Sequence, residues 1–117
     1  MTLEEFVVAV EQGPVAFTET MAVIASNYEY STAGFHNGLE ERRFFNAAGT
    51  NEGSCKLFAF AKVNDLDEQA TLNCFGDYYT VDVLQNPEGQ DHQNIRTFID
   101  CGWKGIAFDS EPLLANR

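Results

Sequence analysis

Gly49-Thr50-Asn51-Glu52-Gly53-Ser54, followed by Cys55-Lys56-Leu57-Phe58-Ala59-Phe60-Ala61-Lys62-Val63, is the stretch whose reading decides the fold. The first six residues are small and polar and the next nine are almost continuously apolar, so a loop opens onto the central core element. Periodicity alone does not separate a buried helix from a buried strand in a run this short. Composition and length choose the helix: Ala, Leu and Lys are good helix formers, the run exceeds a typical strand, and Asn51 or Ser54 is placed to supply the N-cap.

Upstream, Thr2 and Glu5 have the spacing of a capping box, and Leu3, Phe6, Val7 and Val10 repeat at helical intervals, which predicts a helix from Leu3 to about Gln12. Gly13-Pro14 separates it from a second helix with the apolar stripe Phe17, Met21, Ile24, Ala25 and Tyr28. Between Tyr30 and Asn46 the helical period is lost, and Asn37-Gly38 suits the type I′ turn of a short β-hairpin. Downstream, Asp65 or Asp67 caps a helix reaching Phe75, Gly76 ends it, and Asp77 starts another from Tyr78 to about Gln85. Asn86-Pro87-Glu88-Gly89 turns the chain, Asp91 caps a helix carrying Ile95, Phe98 and Ile99 on one face, and Gly102 closes it before an extended stretch from Trp103 to Phe108.

With 117 residues, 44% of them hydrophobic and 13% aromatic, the chain is enough for one core and too short for two. The expected class is mainly α, a single domain over residues 1–117 with five to six short helices and a minor extended element near residues 30–46 or 105–108; α+β is the alternative. Asp and Glu number 18 against 7 Lys and Arg, a formal net charge of −11. A surface this acidic repels phosphate backbones and anionic lipid, so neither nucleic acid nor membrane is an expected partner, whereas a basic protein is. No apolar run approaches the ~20 residues that span a bilayer. Met1-Thr2-Leu3-Glu4-Glu5 is acidic where a targeting peptide is basic, and three cysteines without a CxxC motif fit reduced thiols, so a cytoplasmic location is expected.

Gly49 to Ala61, Thr71-Leu72-Asn73-Cys74-Phe75-Gly76-Asp77-Tyr78-Tyr79 and Asp91-His92-Gln93-Asn94-Ile95-Arg96 resemble the HopJ type III effector family. The resemblance covers nearly the whole chain, from the Tyr28–Gly38 region to Gly102-Trp103, and departs at Ala33-Gly34, where a Thr-Pro-Thr-like segment is expected. The family name implies secretion by a type III system and action in a host cell. It carries no activity onto particular residues. A capping box and apolar helical stripe starting at residue 2 are unlike the flexible polar leader of a threaded effector, and this favours the intracellular expectation.

Two clusters carry possible chemistry. Asp91, His92, Asn94 and Arg96 sit at a helix start, where amides favour anions and a histidine titrates near neutrality; the plainer reading makes Asp91 an N-cap and pairs Arg96 with Asp100. Asn51, Ser54, Cys55 and Lys56 form a loop entering a helix, where Cys55 with His92 would make a thiol hydrolase or transferase, against the plainer reading of a packed core thiol. Gly49-x-x-x-Gly53-Ser54 lacks the Gly-Lys-Ser/Thr ending of a phosphate loop, and no closely spaced ligand pair indicates a metal, so no cofactor is expected. Both clusters set small polar groups at the ends of strongly apolar segments, which places them on one shared rim. The functional expectation is a protein-interaction or adaptor module, with a small enzyme or small-anion binder as the alternative.

Overall fold

The computed structural model describes residues 1–116. Thr2 opens helix α1 (Leu3–Gln12) with both halves of the capping box formed: its hydroxyl accepts from the Glu5 amide at 3.1 Å, and the Glu5 carboxylate accepts from the Thr2 amide at 2.8 Å. Phe6 and Val10 point from it into the core. Helix α2 (Phe17–Asn27) starts after extended Ala16 and stops where Tyr28 becomes extended. Tyr28 is therefore the first residue of strand β1 (Tyr28–Tyr30) and not the last of the helical stripe.

Asn37-Gly38 does not form a two-residue hairpin turn. Strand β2 (Phe35–Asn37) pairs antiparallel with β3 (Phe44–Asn46), but a 3₁₀ turn over Glu40–Arg42 intervenes and Asn37 is itself a fully buried strand residue. On its other edge β2 pairs with β4 (Ala107–Phe108), while β1 pairs with β5 (Leu113–Ala115). The two small sheets are one ribbon with a break. Register carries through from Tyr28↔Ala115 to His36↔Ala107, and the gap is bridged by the Ser31 amide donating to Pro112 O at 2.8 Å and the Asp109 amide to Gly34 O at 2.9 Å. The extended part is thus larger than expected and is a long-range pairing, so α+β describes the fold better than mainly α: 53% of the chain is helical and 12% strand.

Helix α3 (Glu52–Val63) is the central element, with Cys55, Leu57, Phe58, Ala59, Phe60 and Ala61 all buried. Burial on nearly every side explains why its sequence shows no clean period. Asp67 caps α4 (Glu68–Asn73), its carboxylate accepting from the Ala70 amide at 2.8 Å. A π-helical turn over Tyr78–Val83 follows, with no side-chain cap from Asp77. Helix α5 (Gln93–Cys101) buries Asn94, Ile95, Thr97 and Phe98; Ile99, expected on the core face, faces outward. A 3₁₀ turn over Gly102–Gly105 replaces the first part of the stretch expected to be extended from Trp103 to Phe108, of which Ala107–Phe108 is a strand.

Gly76 has φ +59°, and a Cβ there would lie 2.6 Å from the Val15 carbonyl oxygen and 3.1 Å from the Phe17 amide nitrogen. Both a left-handed backbone and the close approach of the α1–α2 connection demand glycine. Gly76→Ala is expected to cost about 1–2 kcal/mol, read as a lower urea midpoint; an unchanged midpoint would contradict the packing described.

Candidate functional site

Asn51 and His92, each directly before a helix, both adopt left-handed backbone conformations, with φ 49° and 51°. Neither α3 nor α5 receives a side-chain cap. The first backbone bonds run from the Cys55 amide to Asn51 O and from the Ile95 amide to His92 O, both 3.0 Å, so the amides ahead of them lack intrahelical acceptors. Both helix starts open onto one cavity of about 370 Å³. Asn51, Gly53 and Ser54 line it from α3; His92, Gln93, Asn94 and Ile95 from α5; Phe17, Phe44, Phe75 and Tyr78 supply aromatic walls. None of these lining residues is Asp or Glu.

The walls follow from local packing. Phe17 stacks on Phe75 with ring centroids 6.3 Å apart and meets the Tyr78 ring edge-on at 5.1 Å. A Cβ on Gly53 would come within 2.9 Å of Phe17 Cζ, so glycine lets that ring lie across the start of α3. The π-helical turn presents Tyr78 and Asp82 on one side, and both meet His92: Asp82 Oδ2 lies 3.0 Å from His92 Nε2, and the Tyr78 ring centroid is 5.2 Å from the imidazole. Such turns are frequent at functional sites because the extra residue re-aims side chains.

Behind the cavity four asparagines lock its frame. Asn94 Oδ1 accepts from Asn37 Nδ2 at 2.9 Å and Asn46 Nδ2 at 3.2 Å, while Asn94 Nδ2 donates to Asn46 Oδ1 at 2.9 Å. Asn51 Nδ2 donates to the same Asn46 oxygen at 2.7 Å. The network ties β2, β3 and the starts of α3 and α5 together, which fixes the two clusters on one rim.

The structure separates the remaining candidates from the cavity. Asp91 is not the N-cap of α5; His92 holds that position, and the Asp91 carboxylate accepts from Arg96 at 2.7 Å. That hydrogen bond holds the Asp91 carboxyl below its ordinary range. Arg96 pairs with Asp91 and not with Asp100, which binds Arg42 at 2.5 Å. Arg96 also donates to Asn86 O at 2.9 Å and Asp82 O at 3.3 Å, so it fastens the π-helical turn that carries Asp82 and the loop after it. Lys56 Nζ lies 4.7 Å from the Tyr30 ring centroid and does not line the cavity. Cys55 is fully buried, its thiol 3.6 Å from Ala33 O, and burial pushes its pKa up, the opposite of an activated thiol. Asp82 and Asn46 carry no site signal in the sequence, and Phe17 and Tyr78 read there only as helix residues; a carboxylate ten residues before a histidine gives no local signal.

Burial also pushes the Cys74 thiol up to about 12, whereas Cys101 is partly exposed. A thiol-specific reagent near neutral pH is expected to label Cys101 first in the native protein, with Cys55 and Cys74 modified only on unfolding. Fast native labelling of Cys55 would contradict its burial. Among the described residues no three His, Cys, Asp or Glu side chains assemble into a metal site, and no helix is long and apolar enough to cross a membrane.

A family model for the HopJ type III effector protein matches residues 3–113. The chain belongs to the HopJ family. Its HopJ fold is similar to a crystal structure described as that of the unknown-function protein VPA0580, with 47% identity, a TM-score of 0.92, and coverage of 99% of this chain and 95% of the other. No curated protein matches.

Proposed function

We propose that this HopJ-family chain binds a small anionic molecule with an apolar, ring-sized body in the cavity between Asn51–Ser54 and His92–Asn94. The observation that carries the reading is the convergence of two uncapped helix starts and a histidine on a cavity without acidic lining, in a chain of net charge −11. Free amides and the positive ends of two helix dipoles favour an anion there, and the aromatic walls favour a flat apolar body. Asp82 holds the His92 ring in place through its contact with Nε2. This supports binding over thiol chemistry, because Cys55 is packed elsewhere.

Phenyl phosphate is a suitable probe, with neutral benzamide as the control in calorimetric titration. Binding of phenyl phosphate but not benzamide is expected, and His92→Gln is expected to weaken it about tenfold, as for loss of one charge-assisted contact. Equal binding of both probes, or an unaffected His92→Gln variant, would remove the reading.

A second reading, the interaction or adaptor module, is favoured by the exposed apolar side chains Leu84 and Ile99 beside a separate groove. A cytoplasmic location and the type III delivery that the family name implies are competing proposals, and a translocation reporter fused to the chain distinguishes them.

A further inference from the structure

We propose that the groove between the 84–89 loop and α5 docks a basic amphipathic segment of a protein partner. The groove, about 470 Å³, is separate from the cavity above except at Gln93 and has Val83, Leu84, Pro87 and Ile99 along it. Leu84 is 52% and Ile99 42% exposed, large apolar side chains turned to water on adjoining elements. Exposed apolar side chains lining one groove among polar groups are the kind of surface that marks an interaction site.

Charge selects the occupant. The two cations lining the groove are already engaged: Arg42 by Asp100 at 2.5 Å and Arg96 by Asp91 at 2.7 Å. Glu88, exposed between the lining residues Pro87 and Gly89, adds an uncompensated acid at the rim, and exposed Glu40 and Glu41 directly precede Arg42. With the Arg42–Asp100 and Arg96–Asp91 pairs neutral and exposed Arg43, directly after Arg42, set against Glu40, Glu41 and Glu88, the rim is still net acidic on a chain of net charge −11, which favours a cationic segment over an anionic one. Apolar anchors one helical turn apart on that segment would occupy the Leu84–Ile99 strip, and flanking lysines or arginines would meet the rim.

Fluorescence anisotropy with two labelled synthetic peptides tests this, both with the same leucine face, one flanked by lysines and one by glutamates. The lysine peptide is expected to bind at least about tenfold more tightly, and a Leu84→Gln/Ile99→Gln double variant is expected to lose about tenfold in its affinity. Glu88→Lys, an exposed change that leaves the apolar strip intact, should weaken the lysine peptide and strengthen the glutamate one. Equal affinity for both peptides, undiminished binding by a folded double variant, or no effect of Glu88→Lys would overturn the proposal. So would concentration-dependent self-association abolished by the double variant, which makes a second copy of the chain the occupant.

Discussion

Phe58→Ala is expected to lower the stability of the protein by about 3–5 kcal/mol, the range for emptying a fully buried phenylalanine site. Phe58 has no exposed surface and its ring is met from four directions: Phe98 at 4.9 Å between centroids, Phe75 at 5.6 Å, Phe35 at 5.9 Å and Trp103 at 6.4 Å. These four rings come from α5, the turn after α4, β2 and the turn after α5. Each is itself held by further contacts, so collapse around the vacancy would have to move several elements together, and the large end of the range is the reasonable one. Domains of this size have about 5–15 kcal/mol in total, so the loss is a large fraction of the whole stability. Urea denaturation measures it directly. A loss under about 1 kcal/mol would mean that α3 is not the element on which the others pack.

Asn94→Leu, which keeps the branched outline of the side chain but removes its polar groups, is expected to cost about 2–4 kcal/mol because it strands buried polar partners. The Asn94 side chain receives two hydrogen bonds, from Asn37 and Asn46, and donates one to Asn46. Asn37 and Asn46 are both almost wholly buried, and Asn37 Oδ1 already lacks a partner. Leucine would leave the Asn37 and Asn46 amides with only backbone acceptors, Asn94 O at 3.0 Å and Phe35 O at 3.5 Å. Loss of the network should also loosen the starts of α3 and α5 relative to each other, so phenyl phosphate binding should fall along with stability. A denaturation midpoint equal to wild type would show that the four asparagines do not act as a lock.

The helices were legible where a local signal decides them. Thr2 with Glu5, Asp67 as the cap of α4 and Gly76 at a left-handed position each depend on neighbours within one turn, and sequence reads such neighbours well. Strands β1 and β5 were not legible, because Tyr28–Tyr30 acquires extended structure by pairing with Leu113–Ala115, some eighty-five residues away. Asp91 misled for a related reason: aspartate is a favoured cap residue, but here Arg96 takes its carboxylate and His92 holds the cap position of α5. Asn37 reads as a turn former next to glycine, yet its amide is used in the core. At the site, Asn51, Ser54, His92 and Asn94 do come to one cavity, as the shared-rim argument expected. Its aromatic walls and Asp82 arrive from other parts of the chain through packing and the π-helical turn, which no local spacing announces.

The binding reading is tested most directly by amide ¹H–¹⁵N spectra of the intact protein during titration with phenyl phosphate. Saturable shifts are expected at the Gly53, Ser54, Gln93 and Asn94 amides, the groups at the two helix starts, and these shifts should be absent with benzamide. Shifts scattered over the surface, or confined to residues outside these two helix starts, would contradict it.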